Sequence, residues 1–257
     1  MKALPPLVIA VTSRLIAELD DLLPGQLQAF YLVGSLALDD FIAGQSDIDF
    51  VAVIDGEANL DALARLHAEL SADFPDIDCD GIYLRPGELS APPSGSGVEA
   101  RGGRIDPASA AERHPVTWLI LADAGITLRG PAPRTSWIAA DRTAVMAYSK
   151  ANLSSYWQPW LEQRRNDPQA LLDDDAVVWG SLGIARLHAT IATGQVPSKS
   201  GAGNQALTSF PEHRRIIQEA LRLRRHPTTP SFYATPQERR EHLIAFMHAV
   251  LDENATS

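Results

Sequence analysis

The chain has 257 residues, 45% of them hydrophobic and 21% charged, which is enough for one large domain or two smaller ones with a sizeable core. A single cysteine, Cys79, excludes an internal disulfide and favours a reducing compartment, and no apolar run approaches the ~20 residues of a membrane helix. The net charge of −10 is concentrated in residues 1–130, with 8 basic and 20 acidic residues, against 14 and 12 in residues 131–257. Such an acidic half disfavours nucleic acid and suits metal cations or a cationic small molecule, so we expect a cytoplasmic protein that binds neither nucleic acid nor membranes.

The first half of the sequence alternates between helical and strand-like patterns. Apolar residues at helical spacing predict a helix over residues 5–22, which Pro24-Gly25 ends. Branched and aromatic runs then predict strands, and a later stretch rich in proline, glycine and serine predicts a loop. The further predicted elements are strands 26–33, 48–54 and 77–84, helix 58–71 before the third strand, the loop through 91–97, and helix 115–124.

The second half carries only helical patterns. They follow Gly130-Pro131-Ala132-Pro133, the best linker candidate, and a loop over residues 197–203 separates two of them. The sequence therefore predicts an α/β (α+β) domain over residues 1–133 and an all-α helical bundle over residues 134–257. The helices predicted for the bundle are 136–165, 173–193, 211–225 and 236–252.

One stretch of the first half combines a Gly-Ser turn with two closely spaced aspartates. Gly34 and Ser35 follow the first predicted strand and open a short helical turn, where glycine lets backbone N–H groups approach a phosphate. Asp47 and Asp49 begin the second strand, and their spacing puts both carboxylates on one face. A bare Asp-x-Asp pair is more often a solvated start of a strand, but the full order of strand, Gly-Ser, short helix, Ser-Asp-x-Asp, apolar strand, helix and acidic strand indicates a site.

Asp78 and Asp80 repeat that spacing on the third strand, so carboxylates of two neighbouring strands can gather in one place. Two such charges ~4 Å apart repel by about 4 kcal/mol at an effective dielectric constant of ~20, and the cluster therefore needs a cation. Mg²⁺ suits a few carboxylates together with phosphate oxygens. Two metal ions clamp the attacking and leaving oxygens of a phosphoryl transfer, and a nearby carboxylate takes the proton of an acceptor hydroxyl.

The whole pattern resembles the nucleotidyltransferase superfamily, which includes DNA polymerase beta and antibiotic-modifying enzymes. The helical second half is similar to the C-terminal domain of the aminoglycoside adenylyltransferases that act on streptomycin and spectinomycin. The resemblance extends over nearly the whole chain. Outside the Gly-Ser and Asp-x-Asp motif, it is carried by residues 114–118, 126–132, 156–158, 183–188 and 193–203.

This resemblance implies roles for individual residues of the first half. Gly34, Ser35 and Ser46 would hold the triphosphate of ATP, and Asp47 and Asp49 would bind Mg²⁺.

The family's catalytic base is a glutamate early on the third strand. Asp78 falls at that place and is predicted to be the base and a further Mg²⁺ ligand, with Asp80 on the same face as its competitor. From the helical half, Arg186 and Lys199 would contact the nucleotide phosphates.

The same resemblance bears on the acceptor. Trp157 matches a tryptophan at the drug pocket, and Asp175, in the acidic run 173–175, is the candidate carboxylate towards a cationic drug. Members that accept streptomycin carry another tryptophan and another aspartate, where this chain has Gly102-Gly103-Arg104 and Ala176. Spectinomycin is therefore favoured over streptomycin. Without the resemblance, Trp157 fits a core aromatic and the acidic run fits a helix start.

The predicted function is Mg²⁺-dependent transfer of AMP from ATP to a hydroxyl of an aminoglycoside or aminocyclitol antibiotic, with release of pyrophosphate. Two alternatives stay open. The acceptor could be another small metabolite or a protein side chain, or the protein could bind a nucleotide without catalysis. The basic stretch 214–225 is interpreted as a solvated helix face rather than a nucleic-acid surface.

Overall fold

The structure, a computed structural model, describes residues 3–57, 59–134 and 137–255. Two predicted helix starts, at residues 58 and 136, lie outside the described residues. The chain divides into two compact units, Met1–Asp141 and Arg142–Ser257, and the predicted domain boundary lies a few residues before this division. Among the described residues, no helix has both the length and the apolar character needed to cross a membrane.

The first unit packs helices against a mixed six-stranded sheet, as expected for an α/β or α+β fold. Its elements are α1 (Pro6–Leu22), β1 (Leu27–Leu32), α2 (Gly34–Ala37), β2 (Ile48–Ile54), α3 (Leu60–Asp73), β3 (Cys79–Leu84), a 3₁₀ turn (Glu88–Ser90), β4 (Gly97–Arg101), β5 (Arg104–Ser109), α4 (Pro115–Ala124) and β6 (Ile126–Arg129). The strand order is β5-β4-β3-β2-β1-β6, in which β2 and β3 are parallel and the other neighbours are antiparallel.

Strand β2 lies inside the sheet, and all of its residues except Asp49 are buried. Its sequence is nearly all apolar because both faces of a central strand are covered. Helix α1 buries Val8, Val11, Leu15 and Leu19, which recur along one face, and Phe30 of β1 stacks on Phe50 of β2 with ring centroids 5.1 Å apart. A single polar residue interrupting so apolar a strand marks Asp49 as unusual.

Strand β4 and the two edge strands β5 and β6 were not predicted from the sequence. Most of β5 is exposed and Pro107 interrupts it, so the strand carries little hydrophobic alternation. The Gly102-Gly103 dipeptide is a sequence signal for this hairpin, because Gly-Gly is typical of a two-residue hairpin turn. In the structure both glycines have positive φ angles, 53° and 70°.

Within its described residues, the second unit contains helices and no strand. Its elements are α5 (Arg142–Asn152), a π-helical turn (Leu153–Trp157), α6 (Gln158–Arg165), α7 (Asp174–Thr193), α8 (Lys199–Ser209), a 3₁₀ turn (Pro211–His213), α9 (Arg214–Arg225) and α10 (Pro236–Ala255). The core of this unit includes Leu182, Ile216, Leu243 and Phe246.

The loop predicted over residues 197–203 is wrong for most of its length, because α8 begins at Lys199. Its glycines lower helix propensity, but Ser198 caps the helix by accepting a hydrogen bond from Gly201 N at 3.0 Å. Gly203 packs so closely against Leu182 and Leu221 that a Cβ atom would lie 2.8 Å from each. Tertiary packing therefore outweighs the weak local propensity.

Candidate active site

The register of β2 and β3 brings two carboxylates side by side. Asp49 is paired with Asp80 across the parallel strands, and facing residues of neighbouring strands point to the same side of a sheet. Asp47 and Asp78 each precede their strand by one residue, and the carbonyl oxygen of Asp78 accepts a hydrogen bond from Ile48 N at 2.8 Å. Asp49 and Asp80 are half-buried, whereas Asp47 and Asp78 are exposed.

The start of α2 lies directly against the Asp49 carboxylate. Gly34 has a φ angle of 58°, in the left-handed region that favours glycine. A Cβ atom at this position would lie 2.6 Å from Cγ of Asp49, closer than such atoms approach in real structures. Glycine is therefore required here both by the backbone conformation and by the neighbouring carboxylate.

The two serines predicted to hold the triphosphate, Ser35 and Ser46, differ in the hydrogen bonding of their hydroxyl groups. The Ser35 hydroxyl is buried and has no hydrogen-bond partner among the described residues, which costs ~1–3 kcal/mol unless a ligand supplies one. The Ser46 hydroxyl accepts a hydrogen bond from Ile42 N at 3.1 Å and so supports the turn that leads into Asp47. Ser35 is thus suited to contact a ligand, and Ser46 to shape the loop.

Asp80 sits in an electrostatic environment that opposes its ionisation. Burial raises the pKa of its carboxyl group to about 6, and the negative charges of Asp78 and Asp47 act in the same direction. The backbone N–H of Gly102 donates a hydrogen bond to Asp80 Oδ1 at 2.9 Å and, with the positive charge of Arg101, lowers the pKa. A carboxyl group poised near neutral pH is suited to accept a proton.

The acidic residues were expected to share a metal ion. Within residues 3–57, 59–134 and 137–255, no group of three or more His, Cys, Asp or Glu side chains is arranged as a metal site. Ligation of Mg²⁺ by Asp47, Asp49 and Asp78 therefore stays a prediction. One or two carboxylates are enough for Mg²⁺ when phosphate oxygens and water complete its coordination, so half-buried Asp49, with exposed Asp47 two residues before it, fits such an ion.

The basic residues predicted to contact phosphates lie on two helices of the second unit. Arg186 is within α7, where its carbonyl oxygen accepts a hydrogen bond from the Thr190 hydroxyl at 2.7 Å. Lys199 is the first residue of α8, and its Nζ lies 5.1 Å from the centre of the Trp179 ring, within the range of a cation–π interaction. Their contacts with a nucleotide stay predictions.

The aromatic residue predicted for the acceptor, Trp157, belongs to the core of the second unit. It is 4% exposed and packs against Gly183, where a Cβ atom would lie 2.6 Å from Cζ2 of the ring. Trp179 stacks on it at 5.6 Å and Tyr156 meets it edge-on at 5.3 Å. These two neighbours are 40% and 41% exposed, so they offer the accessible aromatic surface that the sequence reasoning missed.

The acidic run before α7 divides into structural and exposed members. Asp173 caps the helix by accepting a hydrogen bond from Ala176 N at 2.7 Å, and Asp174 forms an ion pair with Arg239 at 2.6 Å. Asp175 is exposed in the first turn, and Trp179 follows it by one helical turn on the same side of α7. Asp175 is therefore the member of the run best placed to meet a cationic ligand.

The prediction that the basic stretch of α9 is a solvated helix face is wrong in part, because Arg224 is buried and two other arginines make contacts that support the fold. Arg215 bonds to the carbonyl oxygen of Phe232 and to Glu238, and lies over the Tyr233 ring at 4.1 Å. Arg222 forms an ion pair with Glu219 at 2.8 Å. These contacts account for two of its arginines without any nucleic acid.

No protein-family model matches the sequence, and no curated protein matches it either. The fold is similar to the crystal structure of spectinomycin adenyltransferase AAD(9) from Enterococcus faecialis with ATP and spectinomycin. The TM-score is 0.64 at 16% sequence identity, and the match covers 93% of this chain and 98% of that chain. At this identity the likeness concerns the fold, and the predicted mixed α/β character is confirmed.

Proposed function

We propose that the protein is a Mg²⁺-dependent nucleotidyltransferase that transfers AMP from ATP to a hydroxyl of an aminoglycoside or aminocyclitol antibiotic and thereby confers resistance. The observation that carries this proposal is the close approach of Gly34, at the start of α2, to the carboxylate of Asp49, which pairs with Asp80 across β2 and β3. The buried, unpartnered hydroxyl of Ser35 follows Gly34 in the chain. The similarity of fold to an adenyltransferase, over nearly the full length of both chains, supports it.

The residues around α2 suit a triphosphate and its cation. Ser35 has a buried hydroxyl in need of a partner, and a phosphate oxygen accepts such a hydrogen bond. Gly34 leaves room for the Asp49 carboxylate, which would hold Mg²⁺ together with Asp47 and the phosphate oxygens. When bound, Mg²⁺ supplies the positive charge that offsets the carboxylates and the phosphates.

In the transfer, the acceptor hydroxyl oxygen forms a bond to the α-phosphorus of ATP while the bond from that phosphorus to pyrophosphate breaks. The hydroxyl proton passes to a carboxylate of β3. Two observations support Asp80 rather than Asp78 as this base: it pairs with Asp49, and it is half-buried. Asp78 is exposed and precedes the strand.

For the acceptor, we propose Asp175 as the exposed carboxylate that meets a cationic group, and spectinomycin as a better substrate than streptomycin. Streptomycin carries guanidinium groups, which bind best to a carboxylate together with an aromatic face. Members of the resembled family that accept streptomycin carry a tryptophan and an aspartate for this purpose, where this chain has Gly102-Gly103-Arg104 and Ala176. Leaving a buried cation without its partner costs on the order of 2–5 kcal/mol, enough to separate a substrate from a non-substrate.

Pyrophosphate release from ATP and Mg²⁺ tests the proposal, with spectinomycin, streptomycin, other aminoglycosides and no drug as the arms. We expect release that depends on spectinomycin and is weaker with streptomycin. Release with a different metabolite or a protein acceptor would keep the chemistry and overturn the antibiotic. ATP binding without release under any acceptor would show a nucleotide-binding module instead of an enzyme.

A pair of variants separates the two candidate bases. Asp80→Asn should lower kcat by ~10²–10⁴ with ATP binding retained, the usual effect of losing a general base, whereas Asp78→Asn should have a milder effect. The reverse ranking would assign the role to Asp78, as the sequence alone predicts.

A further inference from the structure

The turn between β4 and β5 reaches the Asp80 carboxylate. Arg101 and Arg104 form the last pair of the hairpin, and Gly102 and Gly103 make the turn between them with positive φ angles. The Gly102 N–H donates its hydrogen bond to Asp80 Oδ1 at 2.9 Å, across 22 residues of sequence. The hairpin therefore contacts the side chain proposed to take the proton.

The position of this turn is fixed from two sides. On one side, Ala100 of β4 pairs with Gly81 of β3, the residue that follows Asp80. On the other side, the turn rests on α3, because a Cβ atom on Gly103 would lie 2.7 Å from Cβ of Ser71. With both sides held, the direction of the Gly102 N–H is set by the fold rather than by a flexible loop.

A carboxylate with one oxygen held by such a donor cannot rotate freely about its Cβ–Cγ bond. Oδ1 of Asp80 accepts from Gly102, which leaves Oδ2 as the oxygen that receives a proton.

We propose that Gly102 is a positioning residue of the transfer reaction, whose backbone N–H orients the Asp80 carboxylate so that Oδ2 faces the acceptor hydroxyl. This inference rests on the proposed function, with Asp80 as the base. It assigns a role in catalysis to the hairpin turn through a backbone N–H rather than through a side chain.

Two glycines of the first unit provide a matched test. Gly102 and Gly95 have φ angles of 53° and 67°, and a Cβ atom on either would have no heavy atom within 4 Å. Valine at either position therefore strains the backbone while its Cβ atom meets no neighbour, but only Gly102 donates to Asp80. Asparagine tolerates a positive φ and keeps the N–H in place.

Gly102→Val should lower kcat by about 10- to 100-fold and leave the KM for ATP within about twofold, because a small misplacement of a catalytic group is costly. Gly95→Val should stay within about twofold of wild type, and Gly102→Asn within about threefold. Equal kcat in the two valine variants, a loss confined to the KM for ATP, or no recovery with asparagine would overturn the inference.

A nuclear magnetic resonance measurement reads the contact without activity. The amide proton resonance of Gly102 should shift in Asp80→Ala and stay unchanged in Asp78→Ala, and a resonance insensitive to Asp80 would overturn the inference. A wild-type protein that transfers nucleotide to no acceptor would instead overturn the proposed function and the catalytic role of the contact, while the resonance would still report the contact.

Discussion

Each unit contains a carboxyl group that is half-buried or fully buried, and the pKa values of the two groups are shifted in opposite directions. In the first unit, burial and the like charges of Asp78 and Asp47 raise the pKa of Asp80 to about 6. In the second unit, burial alone would raise the pKa of Glu219, but hydrogen bonds from Arg222, Ser231 and the Phe232 N–H lower it to about 2. The same functional group is thus disfavoured as an anion in one unit and stabilised in the other.

The contacts of Glu219 explain this difference. Its side chain is fully buried, and its oxygens accept from Arg222 at 2.8 and 2.9 Å, from Ser231 at 2.6 Å and from Phe232 N at 3.0 Å. Arg239, which approaches Glu219 at 3.5 Å, also bonds to Asp174 at the start of α7. Such a carboxylate holds helices and a loop together. Acids gathered among like charges contribute no comparable stabilisation, which is the pattern expected of a functional site.

The sharpest test of this contrast is to neutralise Asp49. Asp49→Asn should lower transfer on the order of 10³-fold or more, because the charge that holds a cation beside the phosphates is lost. The thermal midpoint should stay the same or rise, since like-charge repulsion is relieved. Turnover and thermal unfolding are the measurements, with Asp76→Asn, an exposed aspartate before β3, as control. Near-normal turnover would contradict the proposed role of Asp49.

Neutralising Glu219 should give the opposite result. Glu219→Gln should lower the free energy of unfolding by about 3–5 kcal/mol, because it leaves the guanidinium of Arg222 buried without its carboxylate. Chemical unfolding measures the loss, and Glu212→Gln, at an exposed position, is the control. A loss no larger than that of the control would show that the donors around Glu219 do not depend on its charge.

The strongly patterned elements were predictable from the sequence. β2 and α4 have the predicted bounds, 48–54 and 115–124, because a buried apolar run and a proline-initiated helix are local signals. The hairpin and α8 were missed because exposed edge strands and glycine-containing helices depend on tertiary contacts. Elements with a strong local pattern can thus be predicted from the sequence, whereas elements stabilised by contacts with their neighbours cannot.

The candidate site was partly predictable for the same reason. The order of strand, Gly-Ser turn and Asp-x-Asp strand in the sequence indicated that Gly34 belongs to one site with the aspartates. In the structure Gly34 lies against Asp49. Choosing between Asp78 and Asp80 requires the offset between β2 and β3, which packing rather than sequence spacing determines. The burial of the Trp157 side chain likewise depends on how the second unit packs around its ring, which the sequence pattern does not determine.

The smallest expected effect concerns the pH dependence of stability. His67 in the first unit and Glu219 in the second should lose their contributions to the free energy of unfolding in different pH ranges. His67 of α3 is 1% exposed, bonds to the Tyr83 hydroxyl at 2.6 Å, and has its pKa lowered by burial from 6.5 to about 4. Its folded-state pKa lies below the unfolded value, so its contribution to stability is complete above pH 6.5 and is lost as the pH falls towards 4. Glu219, with a pKa lowered from 4.5 to about 2, contributes fully above pH 4.5 and loses that contribution as the pH falls towards 2.

We therefore expect the difference in unfolding free energy between wild type and His67→Gln to shrink by about 2 kcal/mol between pH 6.5 and 5, at 1.36 kcal/mol per pKa unit. Glutamine offers Tyr83 a hydrogen-bond partner but takes up no proton. The corresponding difference for Glu219→Gln should be constant over that interval and shrink only below pH 4.5. Asp80 and His213, whose pKa values are also shifted, titrate in wild type and in both variants, so their contributions cancel in each difference. A difference for His67→Gln that does not change between pH 6.5 and 5 would show that His67 is protonated in the folded protein as readily as in the unfolded chain.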